Sequence, residues 1–123
     1  MHQIHVKTTP EEVLRARSWW ENLEVQWKMA INEGLFGVGP TLEPPREEFL
    51  VMMISRVDVM RLSGPGAAHP NTSVTLTNLS GVKDLTYLKA ITVAHMKIDD
   101  LSPLSKHHRL EVLFVNNNRL TNL

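Results

Sequence analysis

The 123-residue chain contains no cysteine. Disulfides, thiolate zinc sites and thiol nucleophiles are therefore excluded. It has no excess of either charge: 13 lysines and arginines stand against 13 aspartates and glutamates. A nucleic-acid binder needs a basic face to replace released counterions, and a membrane-surface binder needs a polybasic patch. Neither nucleic acid nor membrane is an expected partner. No apolar run approaches the roughly 18 residues of a membrane span. The opening MHQIHVK lacks the apolar core of a signal peptide. A soluble cytoplasmic protein is the expectation. Hydrophobic residues make up 42% of the chain, which is enough for one packed domain.

What the chain does have is a period. Leu88-x-x-Ile91-x-Val93 is answered by Leu110-x-x-Leu113-x-Val115, and Ile98 and Leu101 by Leu120 and Leu123, each pair 22 residues apart. Upstream, Leu79, Val82 and Leu88 stand 22 residues before Leu101, Leu104 and Leu110. The strand-like triplet fails at that offset and reappears 31 residues back as Val57-x-x-Met60-x-Leu62, so one unit carries about nine extra residues. The Gly- and Pro-rich stretch SGPGAAHPNTS, from Ser63 to Ser73, accommodates them. Alternation in each triplet predicts short strands over Val59–Leu62, Ile91–Val93 and Leu113–Val115, with alternate side chains pointing inward.

The pattern Lxx-LxL-xx-N-x-L-xx-L resembles the leucine-rich-repeat family, in its short bacterial, internalin-like or SDS22-like class. The likeness covers residues 57–123. It implies an α/β fold: a short solenoid of about three parallel strands, each unit burying the apolar face of the one before. It also implies a non-catalytic protein-interaction module that needs no cofactor. The family's asparagine site, whose amide satisfies backbone groups in the turn, falls on Val74, Met96 and Asn118. The first two depart from it. His107 replaces the leucine seen at Leu85 and reads as a half-buried imidazole. His108 and Arg109 read as a solvated corner.

Residues 1–56 read as a two-helix N-terminal cap of the same domain. Thr9, Pro10 and Glu12 make a capping box that opens one long helix, and Gly34 ends it. Val13, Ala16, Trp20, Leu23, Trp27 and Ala30 share its buried face. Trp19 lies off that stripe and is a candidate for contact with something else. A second helix begins near Pro45 and carries Phe49, Leu50, Met53, Ile54 and Val57 inward.

The sheet face opposite the inward leucines is the candidate site. Its columns are Val59, Ala90 and Val112; Arg61, Thr92 and Phe114; Ser63, Ala94 and Asn116; Gly64, His95 and Asn117. Val59, Arg61, Ala90, Thr92, His95, Val112, Phe114 and Asn116 are the expected contacts to a partner protein, with Phe114 as anchor. No nucleophile elbow, phosphate loop or HExxH motif is present, so no catalytic residue, metal or cofactor is assigned. One alternative is a small metal-binding hydrolase using His95, Asp99 and His107. Another is a self-assembling fragment of a longer repeat protein. The sequence stops just after the third strand, with no polar segment to cover it; the remedies are a natural chain that continues, a last turn that frays, or a homodimer through that C-terminal strand edge, and the homodimer is expected ahead of either of the others.

Overall fold

The computed structural model describes residues 8–120. The order is α1 (Pro10–Asn22), α2 (Val25–Gly34), α3 (Glu47–Ser55), β1 (Val59–Ser63), a 3-10 turn at Ser80–Val82, β2 (Ala90–Ala94), a second 3-10 turn at Ser102–Leu104, and β3 (Val112–Phe114). The fold is mixed α/β: three helices and one open sheet of three parallel strands in the order β1-β2-β3. Each strand lies within one residue at either end of the span that alternation predicts.

The register equals the sequence spacing. Met60 faces Ile91 and Ile91 faces Leu113, while Arg61 faces Thr92 and Thr92 faces Phe114. The backbone bonds carry the same period. Lys97 donates to the carbonyl of Leu76, and 22 residues later Arg119 donates to that of Ile98, both at 2.8 Å. His95 and Asn117 hold the same place in successive units and both adopt left-handed backbone, at φ 56° and 58°. Asparagine and histidine tolerate that region better than most residues.

One long N-terminal helix is not formed. It breaks at Leu23 and Glu24, which are both extended, so three helices replace the two expected. The reason lies in side-chain bonds that the periodicity does not show. The Glu24 carboxylate accepts from Gln26 and from Asn78, 54 residues away. These bonds hold its pKa below the usual carboxylate range, the Asn78 amide being the larger cause. The break re-aims α2, and Trp27 turns in against the 3-10 turn, where its indole N–H donates to the Asn78 carbonyl at 3.1 Å. At the start of α1 the capping box forms in part. Thr9 Oγ1 accepts from the Glu12 amide, but the Glu12 carboxylate accepts from the Thr9 hydroxyl and does not reach its N–H.

Gly34 ends α2, though it is not left-handed, since a helical residue, Leu35, follows. Its missing side chain serves proximity: a Cβ there would lie 2.6 Å from Cδ2 of Leu62 on β1. The core runs from Ala16 and Trp20 on α1, through Leu50 and Val51 on α3, to Ile91, Val93 and Ile98.

Burial falls off across the sheet. Ile91 and Val93 are fully buried, but Leu110, Leu113 and Val115, expected to match them, are only half-buried. Among the described residues no strand lies beyond β3 to cover them. Leu120 is half-buried too, and Leu123 lies outside the described residues.

Candidate functional site

Three turns end the three strands, and each needs a group to satisfy the backbone it exposes. After β3, Asn118 does this. Its amide nitrogen donates to the carbonyls of Val93 and Val115, at 2.8 and 2.9 Å, and its oxygen accepts from the Ile98 amide at 2.9 Å. After β2, Met96 stands in the same position, and its sulfur takes the matching bond from the Leu76 amide at 3.2 Å. A thioether accepts weakly and donates nothing, so this turn is held less firmly. After β1, the position that aligns is Val74, whose side chain cannot bond at all. Asn71, inside the inserted loop, does the work instead. Its oxygen accepts from the Ser63 amide and its nitrogen donates to the Arg61 carbonyl, both at 2.7 Å. Fixed spacing could not find Asn71, because the insertion shifts it off the period.

The candidate columns stand on the sheet face as the register sets them. Val59 is 61% exposed, Val112 41% and Phe114 57%, while Ala90 and Thr92 between them are half-exposed. Arg61 is exposed, and its guanidinium donates to the carbonyl of His69, which ties the inserted loop to this face. His95 is half-exposed, and Asn116 beside it is exposed. The amide of Asn117 donates to Nε2 of His95 at 3.2 Å. Neighbouring strands lie about 4.8 Å apart. Val59, Ala90 and Val112 thus make an apolar stripe about 10 Å across, and Phe114 widens it at the β3 side.

The remaining candidates separate. His107 is buried at 6% exposure, deeper than the half-buried imidazole expected of it, and its Nε2 donates to the Val82 carbonyl at 2.8 Å. Asp100 caps the second 3-10 turn by accepting from the backbone and hydroxyl of Ser102. The Ser102 amide, first, and its hydroxyl hold that carboxyl below the ordinary aspartate range. Among the described residues, His95, Asp99 and His107 join no cluster able to hold a metal.

Trp19, off the expected stripe, is nonetheless buried. It meets Trp20 edge to face with ring centroids 6.4 Å apart. Its outer rim borders an open groove of about 910 Å³, which Leu14, Glu24, Asp84 and Tyr87 also line. Among the described residues, the one buried side-chain nitrogen or oxygen without a partner is Nδ1 of His107, which is not in that groove.

That orphaned nitrogen makes a stability prediction. The Val82 carbonyl also accepts from the Leu85 amide, so it keeps a partner without the imidazole. His107→Leu removes a buried unpaired acceptor and restores the leucine found at Leu85. It is expected to stabilise the chain by about 1 kcal/mol. A thermal melt whose midpoint falls would show that the bond to Val82 outweighs the unpaired nitrogen.

No protein-family model matches this chain, and no curated protein is similar enough to be matched to it.

Proposed function

We propose that this chain is a non-catalytic protein-interaction module of leucine-rich-repeat type. Its partner would bind on the sheet face formed by Val59, Arg61, Ala90, Thr92, His95, Val112, Phe114 and Asn116. The observation that carries this reading is Phe114, a large aromatic ring left 57% exposed on a rigid strand, in register with Thr92 and Arg61. Aromatic and arginine side chains dominate binding energy at interfaces, and a fixed strand loses little entropy when it engages. The repeat reading is supported by the 22-residue period of backbone bonds and by Asn118, which does in its turn what the resemblance expects. The three helices would then act as the N-terminal cap, with Trp27 and Asn71 closing the first unit. The partner that fits this face is a protein surface with an apolar side chain for Phe114 and Val112 and a carboxylate for Arg61.

Affinity capture from native lysate, followed by titration of the purified partner, tests this. Phe114→Ala should weaken binding about tenfold or more while leaving the melting curve unchanged, because the ring contributes little to the core. Arg61→Ala should slow association more than it speeds dissociation, as rim charges do. A partner bound equally by the wild type and both variants would place the contact on another surface.

A further inference from the structure

The groove of about 910 Å³ beside Trp19 takes no part in the sheet face, since none of the proposed sheet-face contacts lines it. It is lined by α1, by the end of α3 and by the segment that leads from the first 3-10 turn to β2. Trp19 is the one buried residue among those lining it and forms its floor. Two large apolar side chains stand open to water at its rim, Leu14 at 71% and Tyr87 at 42% exposure. The charge of the groove is uneven. Glu11, Glu24 and Asp84 line it against one cation, Arg15, and none of the four is ion-paired among the described residues. The nearby Arg109 does not neutralise them through an ion pair. Its guanidinium stacks on the Tyr87 ring, 4.9 Å from the centroid, and meets no carboxylate among the described residues.

These features narrow the occupant. A small ligand needs an enclosing, mostly apolar pocket. Here hydroxyl, amide and charged side chains make up most of the wall and the rim is exposed, so an occupant keeps one face in water. No strand lines the groove, so it offers an extended peptide no ladder to join. A helix satisfies its own backbone and needs none. Glu11 and Asn22 both line the groove, and the stretch of α1 between them is about 16 Å long, room for about three turns of a second helix. We propose that this groove docks a basic amphipathic helix of a partner protein. The apolar stripe of that helix rests on Trp19 between Leu14 and Tyr87, and its lysines or arginines meet Glu11, Glu24 and Asp84. Burial of the stripe supplies the affinity, and the opposite charges set the orientation and reject acidic competitors.

NMR titration of the full chain with an amphipathic helical peptide of leucine and lysine, about four turns long, tests the proposal. Amide shifts should centre on Leu14, Ser18, Asp84 and Tyr87 and leave Thr92 and Phe114 unmoved. Affinity should fall as salt is raised. Leu14→Ala and Asp84→Lys change exposed side chains. Both should melt like the wild type, and each should bind the peptide about tenfold more weakly. The leucine–glutamate counterpart of the peptide should bind the wild type far less well. Glu11→Gln combined with Asp84→Lys removes the negative excess and should erase that preference. No shift at millimolar peptide would overturn the proposal, and so would equal binding of the two peptides by the wild type. Shifts centred on Thr92 and Phe114 would also overturn it, by assigning the helix to the sheet face.

Discussion

Trp27→Ala is expected to cost about 3–5 kcal/mol, the largest loss of any single truncation in this chain. The indole is fully buried, and its N–H bonds to both the carbonyl and the side-chain oxygen of Asn78. It also packs against a residue with no side chain. A Cβ at Gly81 would lie 2.1 Å from Cδ2 of the indole, far inside contact distance. Gly81→Ala must therefore push the indole or the 3-10 turn aside, with an expected loss of about 1–3 kcal/mol or more. The two sites share one contact, so their effects should not add. In the Trp27→Ala background the methyl of Gly81→Ala would enter vacated space and cost little. Denaturant melts of both single variants and the double variant measure this. Simple additivity would show that the glycine is not needed for the indole.

The second large effect compares two residues that the sequence treats as equals. Ile91 and Leu113 face each other on β2 and β3 and hold the same place in the period. Ile91 is fully buried, and Leu113 is half-buried. Ile91→Ala should cost about 2–5 kcal/mol, in the range of core truncations. Leu113→Ala should cost about half as much, since less apolar surface leaves water there on folding. Urea melts at low protein concentration, where a dimer would dissociate, give the intrinsic values. If the Leu113→Ala loss grows with protein concentration and approaches that of Ile91→Ala, a second copy covers that edge. If the two losses are equal at every concentration, the half-burial of Leu113 is wrong.

Glu24 and Glu33, at the two ends of α2, add a pH dependence. Asn78 lowers the pKa of Glu24, and the Ser73 amide lowers that of Glu33. Their stabilisation is present above the unfolded carboxylate pKa and lost as pH falls through the lowered folded values. Both groups are largely solvated, so the loss at acid pH should be small.

Periodicity carried the sheet. Strand positions, parallel order and register follow from apolar residues recurring at 22 and 31, because each inward side chain needs a counterpart above and below it. Which side chains stand on the open face follows from the same alternation, and so do Val59, Arg61, Thr92 and Phe114 as candidate contacts. Everything that depends on contacts between distant segments had to come from the folded chain. The helix break at Leu23 and Glu24 is set by Asn78, and the buried stripe by itself reads as one continuous helix. The turn after β1 is satisfied by Asn71, which an insertion moved off the period. The burial of His107 rests on a carbonyl 25 residues upstream. The difference in burial between the matched residues Ile91 and Leu113 is likewise invisible in the pattern. A repeat specifies what lies between its units, but what closes its ends is settled only by the segments that fold back onto them.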